Sequence, residues 1–489
     1  MKKIFILACF ASSLMMGTIR NVPSAYATIQ AALTACVSGD TVMVQTGTYM
    51  GNIIWPATAN IKLYSAGDSS NTTIMVNTGR VIQMNSLLTD TNTVIRGFTI
   101  RSGTLTTGSG AGISVNTGGL KLIGVVVRNN SLYNVGTNAS GAGLYMNNAS
   151  VVLENSTIRN NQIDTGTWCY GAGMHQTSGS LTIRNSKILS NVSKSDSWCY
   201  GTGLYVSTGT IRITNAQISG NRTGNNPSWN YGAGAYLDDC QGNLTNVLVS
   251  GNSFGTGGSF NNGIGIFIDG ATGNMNLMHI TFTNNYKTAS ASANGTGLYV
   301  RSATAVVNNS IFWNANPGTE ITNSSGTLNV NYSDVEGGYF GIGNINTNPL
   351  FVSASDYHLQ TSSPCTGVGT LPGSPVFDLD YNSRPMPVAT NPDMGCYEVS
   401  QLVSIISCCL DAGLRVYPIP TNGALYISTW CNSEPFVFSL FDLSGKLLMN
   451  GNSVTGQADL DLGEFSEGIY FLKLAVSGKT LTKKVVVAK

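Results

Sequence analysis

The stretches "WCYGAG" at 168–173, "WCYGTG" at 198–203 and "WNYGAG" at 229–234 write one aromatic phrase three times, at steps of 30 and 31 residues. Working outward from them, a Gly-x-Gly element begins at Gly110, Gly141, Gly171, Gly201, Gly232, Gly263 and Gly295, so seven copies follow one another at 30 to 32 residues. A fixed period of this length is the signature of a repeat architecture. Within one copy, "GLYM", "VVLEN" and "STIRNN" between 143 and 161 are short β-branched or alternating runs separated by Gly, Asn and Ser. Three short strands per period, with no helical periodicity, predict one coil of a parallel β-helix.

Two sets of asparagines keep the same phase. Asn155, Asn185, Asn215, Asn246 and Asn308 form one set, with His279 in place of Asn in one copy. Asn130, Asn161, Asn191, Asn221, Asn252, Asn285 and Asn314 form the other. Asn tolerates left-handed backbone, and stacked amides can hydrogen-bond from coil to coil, so both sets are expected to be structural and His279 a turn residue.

Strand alternation after each Gly-x-Gly sends Ala142, Leu144 and Met146, and likewise Thr202, Leu204 and Val206, inward. The residue facing outward then reads Ser114, Tyr145, His175, Tyr205, Tyr236, Phe267 and Tyr299 down the repeats, beside a polar column of Asn116, Asn147, Thr177, Ser207, Asp238, Asp269 and Arg301. The expectation is a glycine-floored trough with rings on one side and polar groups on the other. Trp168, Trp198 and Trp229, with Tyr170, Tyr200 and Tyr231, would stand at its far wall. Flat rings suit the apolar face of a sugar and the polar groups suit its hydroxyls, so polysaccharide or glycoconjugate is the expected partner. The bland counterpart is that the rings only hold neighbouring coils together.

The bulk composition narrows the partners. Charged residues are 10% of 489, Gly supplies 57 residues and the formal net charge is +1, with no long basic run, so nucleic acid is not expected. Residues 1–17, "MKKIFILACFASSLMMG", have the layout of a secretory signal peptide, and no later stretch is long and apolar enough to span a membrane. Of the 10 cysteines, Cys9 leaves with the signal, and none of the others falls into a CxxC pair, so no structural metal is expected. Cys169 and Cys199 should stack on adjacent coils, at a Cα separation that admits a disulfide.

The repeats, the opening "ATIQAALTACVSGDTVMVQTGTYMGNI" at 27–53 and "TVIRGFTIR" at 93–101 resemble the right-handed parallel β-helix of the pectin-lyase-like superfamily over roughly residues 18–350. The resemblance implies an all-β chain: a β-helix at 18–348 closed at its start by an amphipathic helix near 27–37. The segments "NTNPLFVSASDYHLQTSSPC" and "FDLDYNSRPMPVATNPDMGCYE" resemble a choice-of-anchor module, assigned to 349–399, in which His358 belongs to the motif and Cys365 with Cys396 suggest a disulfide. After a linker at 400–413, the blocks "LRVYPIPTNGALYI", "FSLFDLSGKLLM" and "EGIYFLKLAVSGKTLTKKVVVAK" make residues 414–489 similar to the type IX secretion sorting domain, a small C-terminal β-sandwich of Bacteroidetes cargo. That likeness implies the type IX machinery as a partner and an extracellular or outer-surface location.

Catalysis is less legible. The polygalacturonases of the superfamily are marked by Asn-Thr-Asp, Asp-Asp, Gly-His-Gly and Arg-Ile-Lys motifs, of which only Asp238-Asp239 is present. Asp238 and Asp269 on adjacent coils, with Arg301 one coil on, echo the calcium-binding acids and basic residue of pectate lyases. They are the candidate catalytic set, where one acid should stay protonated or a cation, with calcium possible, should sit between them; the bland counterpart is two solvated surface acids. The readings carried forward are a glycan-binding surface protein, a lyase or hydrolase of acidic glycans, and a structural surface protein or adhesin.

Overall fold

The computed structural model describes residues 17–133, 138–194, 197–224, 228–256, 260–270, 273–287, 293–314, 318–399, 414–429, 435–453, 456–476 and 479–489. The expected signal segment 1–17, except Gly17, and the expected linker 400–413 lie outside them. Two compact units result, 1–400 and 401–489.

The first unit is a right-handed β-helix. Among the described residues its coils build three parallel sheets, of 19, 15 and 7 strands. Register is kept residue for residue: Leu144 pairs with Met174, Met174 with Leu204, Leu204 with Ala235, Ala235 with Ile266 and Ile266 with Leu298. The reason lies in the repeat. Equal coil lengths place equivalent residues one strand spacing apart, ~4.8 Å, so every inward Leu, Ile, Val or Met meets its own kind above and below. One apolar core runs without interruption from Val22 to Val335.

The longest strands, Gly179–Leu189, Gly209–Ser219 and Cys240–Ser250, bend at Asn185, Asn215 and Asn246, whose φ angles of 50 to 52° are left-handed. His279 takes the same conformation at φ 55°. In the next coil Asn309 does so at φ 52°, one residue beyond the expected Asn308, which stays in the strand Thr304–Asn308. The second asparagine set is a buried ladder: each side-chain amide donates to the next, from Asn130 to Asn161 (2.9 Å) through Asn191, Asn221, Asn252 and Asn285 to Asn314. It ends on Glu320, whose carboxylate accepts from the Asn314 amide at 2.5 Å and from the Asn314 backbone N–H at 3.0 Å.

The two glycines of each repeat serve different sides of the wall. The first turns at positive φ, as at Gly141 (58°), and lies against the outer column. The second faces the asparagine ladder: a Cβ on Gly173 would sit 2.4 Å from the Gly203 carbonyl oxygen and 2.8 Å from the Asn191 amide nitrogen. The expected glycine floor is therefore supplied by the first glycine alone, because the ladder claims the second.

A short helix, Ile29–Thr34, closes the first coil. Its N-cap Thr28 accepts from the Ala31 N–H at 3.1 Å, and it buries Ile29, Ala32 and Leu33. Residues 349–399 pack on the later coils in the same compact unit. The buried Arg384–Glu398 pair (2.8 Å) reaches Asn246 at 2.6 Å, and the His279 ring contacts the Gly395 carbonyl and the Ser374 hydroxyl. His279 is thus a turn and docking residue, while His358 is clamped between Asp356 and Asp380.

Neither expected disulfide is present; the six described cysteines are unbridged. Cys365 donates to Asp334 Oδ2 at 3.2 Å, and the Cys396 N–H donates to Thr281. Cys169 and Cys199 do stack in register, both fully buried. Stacking itself prevents the bond. In a parallel in-register pair the Cα–Cβ vectors point the same way, so the Cβ atoms stay near ~4.8 Å apart, outside the ~3.5–4.5 Å that a disulfide needs.

The second unit consists of a three-stranded and a four-stranded antiparallel sheet around a core that includes Leu425, Phe436, Leu440, Leu472 and Val485.

Candidate functional site

The outward column forms as the alternation requires. Ser114, Tyr145, His175, Tyr205, Tyr236, Phe267 and Tyr299 are successive register partners on the 15-stranded sheet. It is not, however, the wall of an open trough. The turn strands Trp168–Tyr170, Trp198–Tyr200 and Trp229–Tyr231 stack on one another and fold over it. Their tyrosines lie on the column: Tyr170 is 5.2 Å from the Tyr205 ring, Tyr200 5.4 Å from Tyr236 and Tyr231 5.3 Å from Phe267. His175, Tyr205, Tyr236 and Phe267 are consequently buried. The space expected for a ligand is filled by the protein's own rings, because aromatic area on both sides of a narrow cleft gains more from mutual burial than from exposure to water.

What stays at the surface is the outer edge of this packing. Trp168, Trp198, Trp229 and Phe260 occupy four consecutive coils, with ring centroids 6.0, 4.7 and 3.8 Å apart. The pairs Trp198–Trp229 and Trp229–Phe260 are nearly parallel, at 3° and 9°, whereas Trp168 is tilted by 56° to Trp198. Trp168 is 40% and Phe260 48% exposed, so the two ends of the ladder are its most exposed rings. Phe260 was not among the expected ring residues. It could have been found by aligning "FNNGIG" on Gly263, which puts Phe where the other copies have Trp.

The polar column comes together at its lower end. Asp238 and Asp269 are register partners, and Arg301 follows on the next coil. Arg301 engages both oxygens of Asp269 and lies over the Phe267 ring, 5.2 Å from its centroid. Tyr236 donates to Asp269 at 2.8 Å and Tyr205 to Asp238 at 3.2 Å. The two acids therefore differ. Burial and the neighbouring Asp269 charge push Asp238 up to about 6. Burial also raises Asp269, but the Arg301 guanidinium and the Tyr236 hydroxyl outweigh it and hold the carboxyl below its usual range. Of the two acids where calcium was expected to be possible, Arg301 pairs with Asp269, from the coil beyond it. Among the described residues no group of three or more His, Cys, Asp or Glu is arranged to hold a metal.

His175 stands apart from this set. It packs among Tyr145, Tyr170 and Tyr205 with centroids 5.5, 5.6 and 4.8 Å away, and neither ring nitrogen has a hydrogen-bond partner. Burial drives its pKa down to about 3, so it is a neutral member of the aromatic stack.

Comparison with known families agrees with these two units. Residues 68–260 match the model of the right handed beta helix region, and residues 415–488 match that of the secretion system C-terminal sorting domain. None of the curated proteins searched matches the chain. No helix among the described residues is long and apolar enough to cross a membrane.

Proposed function

Because the chain joins a right-handed β-helix to a type IX sorting domain, and is thereby exported to the cell surface or extracellular space, we propose that the β-helix holds polysaccharide or glycoconjugate on the exposed edge of its aromatic ladder. One observation carries the reading: four large rings stack on consecutive coils, half-buried at Trp198 and Trp229 and exposed at Trp168 and Phe260. A soluble surface rarely spends large aromatics this way without a partner. Sugar stacking would use the tilted Trp168 face at one end and Phe260 at the other, while the side-chain amide pair Asn262 and Asn294 (3.2 Å) lies beside the latter for hydroxyls.

The test is a binding screen of the full chain against neutral and acidic polysaccharides, with new reducing and unsaturated ends scored in the same samples. Retention without product, weakened about fivefold by Trp168→Ala or Phe260→Ala, is the expected outcome; a loss of that size is the scale of one ring contact. Retention that ignores both substitutions would sink the proposal. The enzymatic reading has its own support in the opposite displacement of the Asp238 and Asp269 pKa values, an acid and a base held side by side. It predicts product that vanishes in Asp238→Asn.

A further inference from the structure

Arg101, Arg128 and Arg159 are register partners on three consecutive coils of the 19-stranded sheet. They end the strands Thr99–Arg101, Val126–Arg128 and Thr157–Arg159 and point outward, since the preceding Ile100, Val127 and Ile158 are buried in the core. On the next coil the register partner of Arg159 is Leu189, and Lys187 stands beside the row, two residues earlier, on the Thr157 column. No carboxylate pairs with any of the four cations among the described residues; the one polar contact is Arg101 to its neighbour Ser102 at 3.3 Å.

Such an arrangement is unfavourable in isolation. Like charges directly opposite one another on paired strands destabilise the pair. Here the repulsion repeats at every coil, and Arg128, between the other two, has its pKa lowered by burial and by both neighbours. Elsewhere on the long sheet Lys121 and Arg184 find an acid in Glu154, and Arg96 lies over the Tyr64 ring. The same stripe of the sheet is also covered further on: residues 349–399 lie over Asn246, Thr281 and Asn309. The early coils with the arginines are left bare, and Arg159 and Lys187 are exposed.

We propose that this row is a binding site for a linear anionic glycan, laid along the helix axis so that the carboxylates or sulfates on its sheet-facing side meet the cations of the row. The match is one of charge and of line: the coils present guanidinium groups in a straight row at the ~4.8 Å strand spacing, and an extended acidic polysaccharide carries oxyanions along its whole length. Each guanidinium offers a planar fork of donors to two oxyanion oxygens. The site is on a different sheet from the aromatic ladder and does not depend on it.

The experiment measures binding of the full chain to polygalacturonate, dextran sulfate, neutral dextran and double-stranded DNA, over a range of salt concentrations. Compared with the wild type are Arg128→Gln, the triple variant Arg101→Gln/Arg128→Gln/Arg159→Gln, and Arg212→Gln, an exposed cation of the same sheet that lies off the row. Polygalacturonate or dextran sulfate should bind and neutral dextran should not; which of the two binds identifies the oxyanion. Arg128→Gln should weaken binding roughly tenfold and the triple variant should abolish it, with a shallower salt dependence as cations are removed. Arg212→Gln should leave it unchanged. Added polyanion should raise the melting temperature of the wild type but not of the triple variant, a readout that does not depend on equal stability of the two. The proposal is overturned if neither acidic polymer binds, if the triple variant binds as well as wild type, or if Arg212→Gln loses as much. Tighter, row-dependent binding of DNA would overturn the glycan assignment. Loss of the aromatic-edge interaction in Trp168→Ala with acidic-polymer binding intact would leave this site standing and separate the two readings.

Discussion

Single residues in the ring column show what burial does to chemistry. His175 was expected to be a ligand-facing side chain, and alternation placed it correctly; what alternation could not convey is that Tyr170 and Tyr205 would close over it. Its imidazole is 6% exposed with both nitrogens unpartnered. With a folded pKa of about 3, below the ordinary ~6.5, the unfolded chain binds a proton that the native one refuses. Stability from this residue is fully present above pH ~6.5 and is lost as pH falls towards 3, at up to about 1.4 kcal/mol per pH unit. His175→Phe should therefore raise the melting temperature at neutral pH, and the gain should widen at pH 4.5; thermal melts at the two pH values check it. Asp238 has the opposite sign. Its carboxyl is raised to about 6, so the native state holds its proton longer and stability falls as pH rises from about 4 to 6. Asp238→Asn should be stabilising at pH 8 and near neutral at pH 4, and a loss of stability at both would contradict the environment described. For Cys169 and Cys199, mass spectrometry of the exported protein should find no bond between them.

At the scale of elements, the period carried most of the information. Glycine and asparagine spacing located the strands, the left-handed bends and the amide ladder, because each of those depends on one residue type at one place in a coil. The ring site was only half legible for a physical reason: a strand residue's side is set by period 2, but whether that side is open depends on the turn strands above it, whose fold-over is tertiary. The cation row was visible as Arg101, Arg128 and Arg159 in the sequence, yet their uneven spacing of 27 and 31 residues hid the common register. The ladder makes a sharp prediction. Asn191 donates to Asn221 (2.9 Å) and to the Ile158 carbonyl (3.2 Å), while its oxygen accepts from Asn161. Asn191→Ala removes these bonds and leaves buried groups unpaired on two sides, so a loss of about 2–4 kcal/mol is expected in denaturant unfolding. Gly173→Ala, which drives a methyl into the same ladder and the Gly203 carbonyl, should be at least as harmful; tolerance of both would mean the ladder is not what holds the coils.

For the whole molecule, the two units divide the work: the β-helix carries the surfaces and the terminal domain carries the address. The β-helix builds its core from its own coils, from Val22 to Val335, and includes residues 349–399 in the same compact unit. The terminal unit has a separate core of its own. Among the described residues each core is built from side chains of its own unit, so a chain ending before Leu414 should still fold, with unchanged far-ultraviolet circular dichroism and resistance to proteolysis. Its destination should differ. A signal peptide takes a chain across the inner membrane alone, and the match of residues 415–488 to the sorting domain assigns the outer-membrane step to that segment. In a host with a working type IX system, the truncated chain should accumulate folded in the periplasm while the full chain reaches the surface or the medium. Cell fractionation with surface proteolysis distinguishes the two. Surface display of the truncated chain would show that the β-helix itself is recognised for export, and an unfolded truncated chain would show that the two cores are not independent.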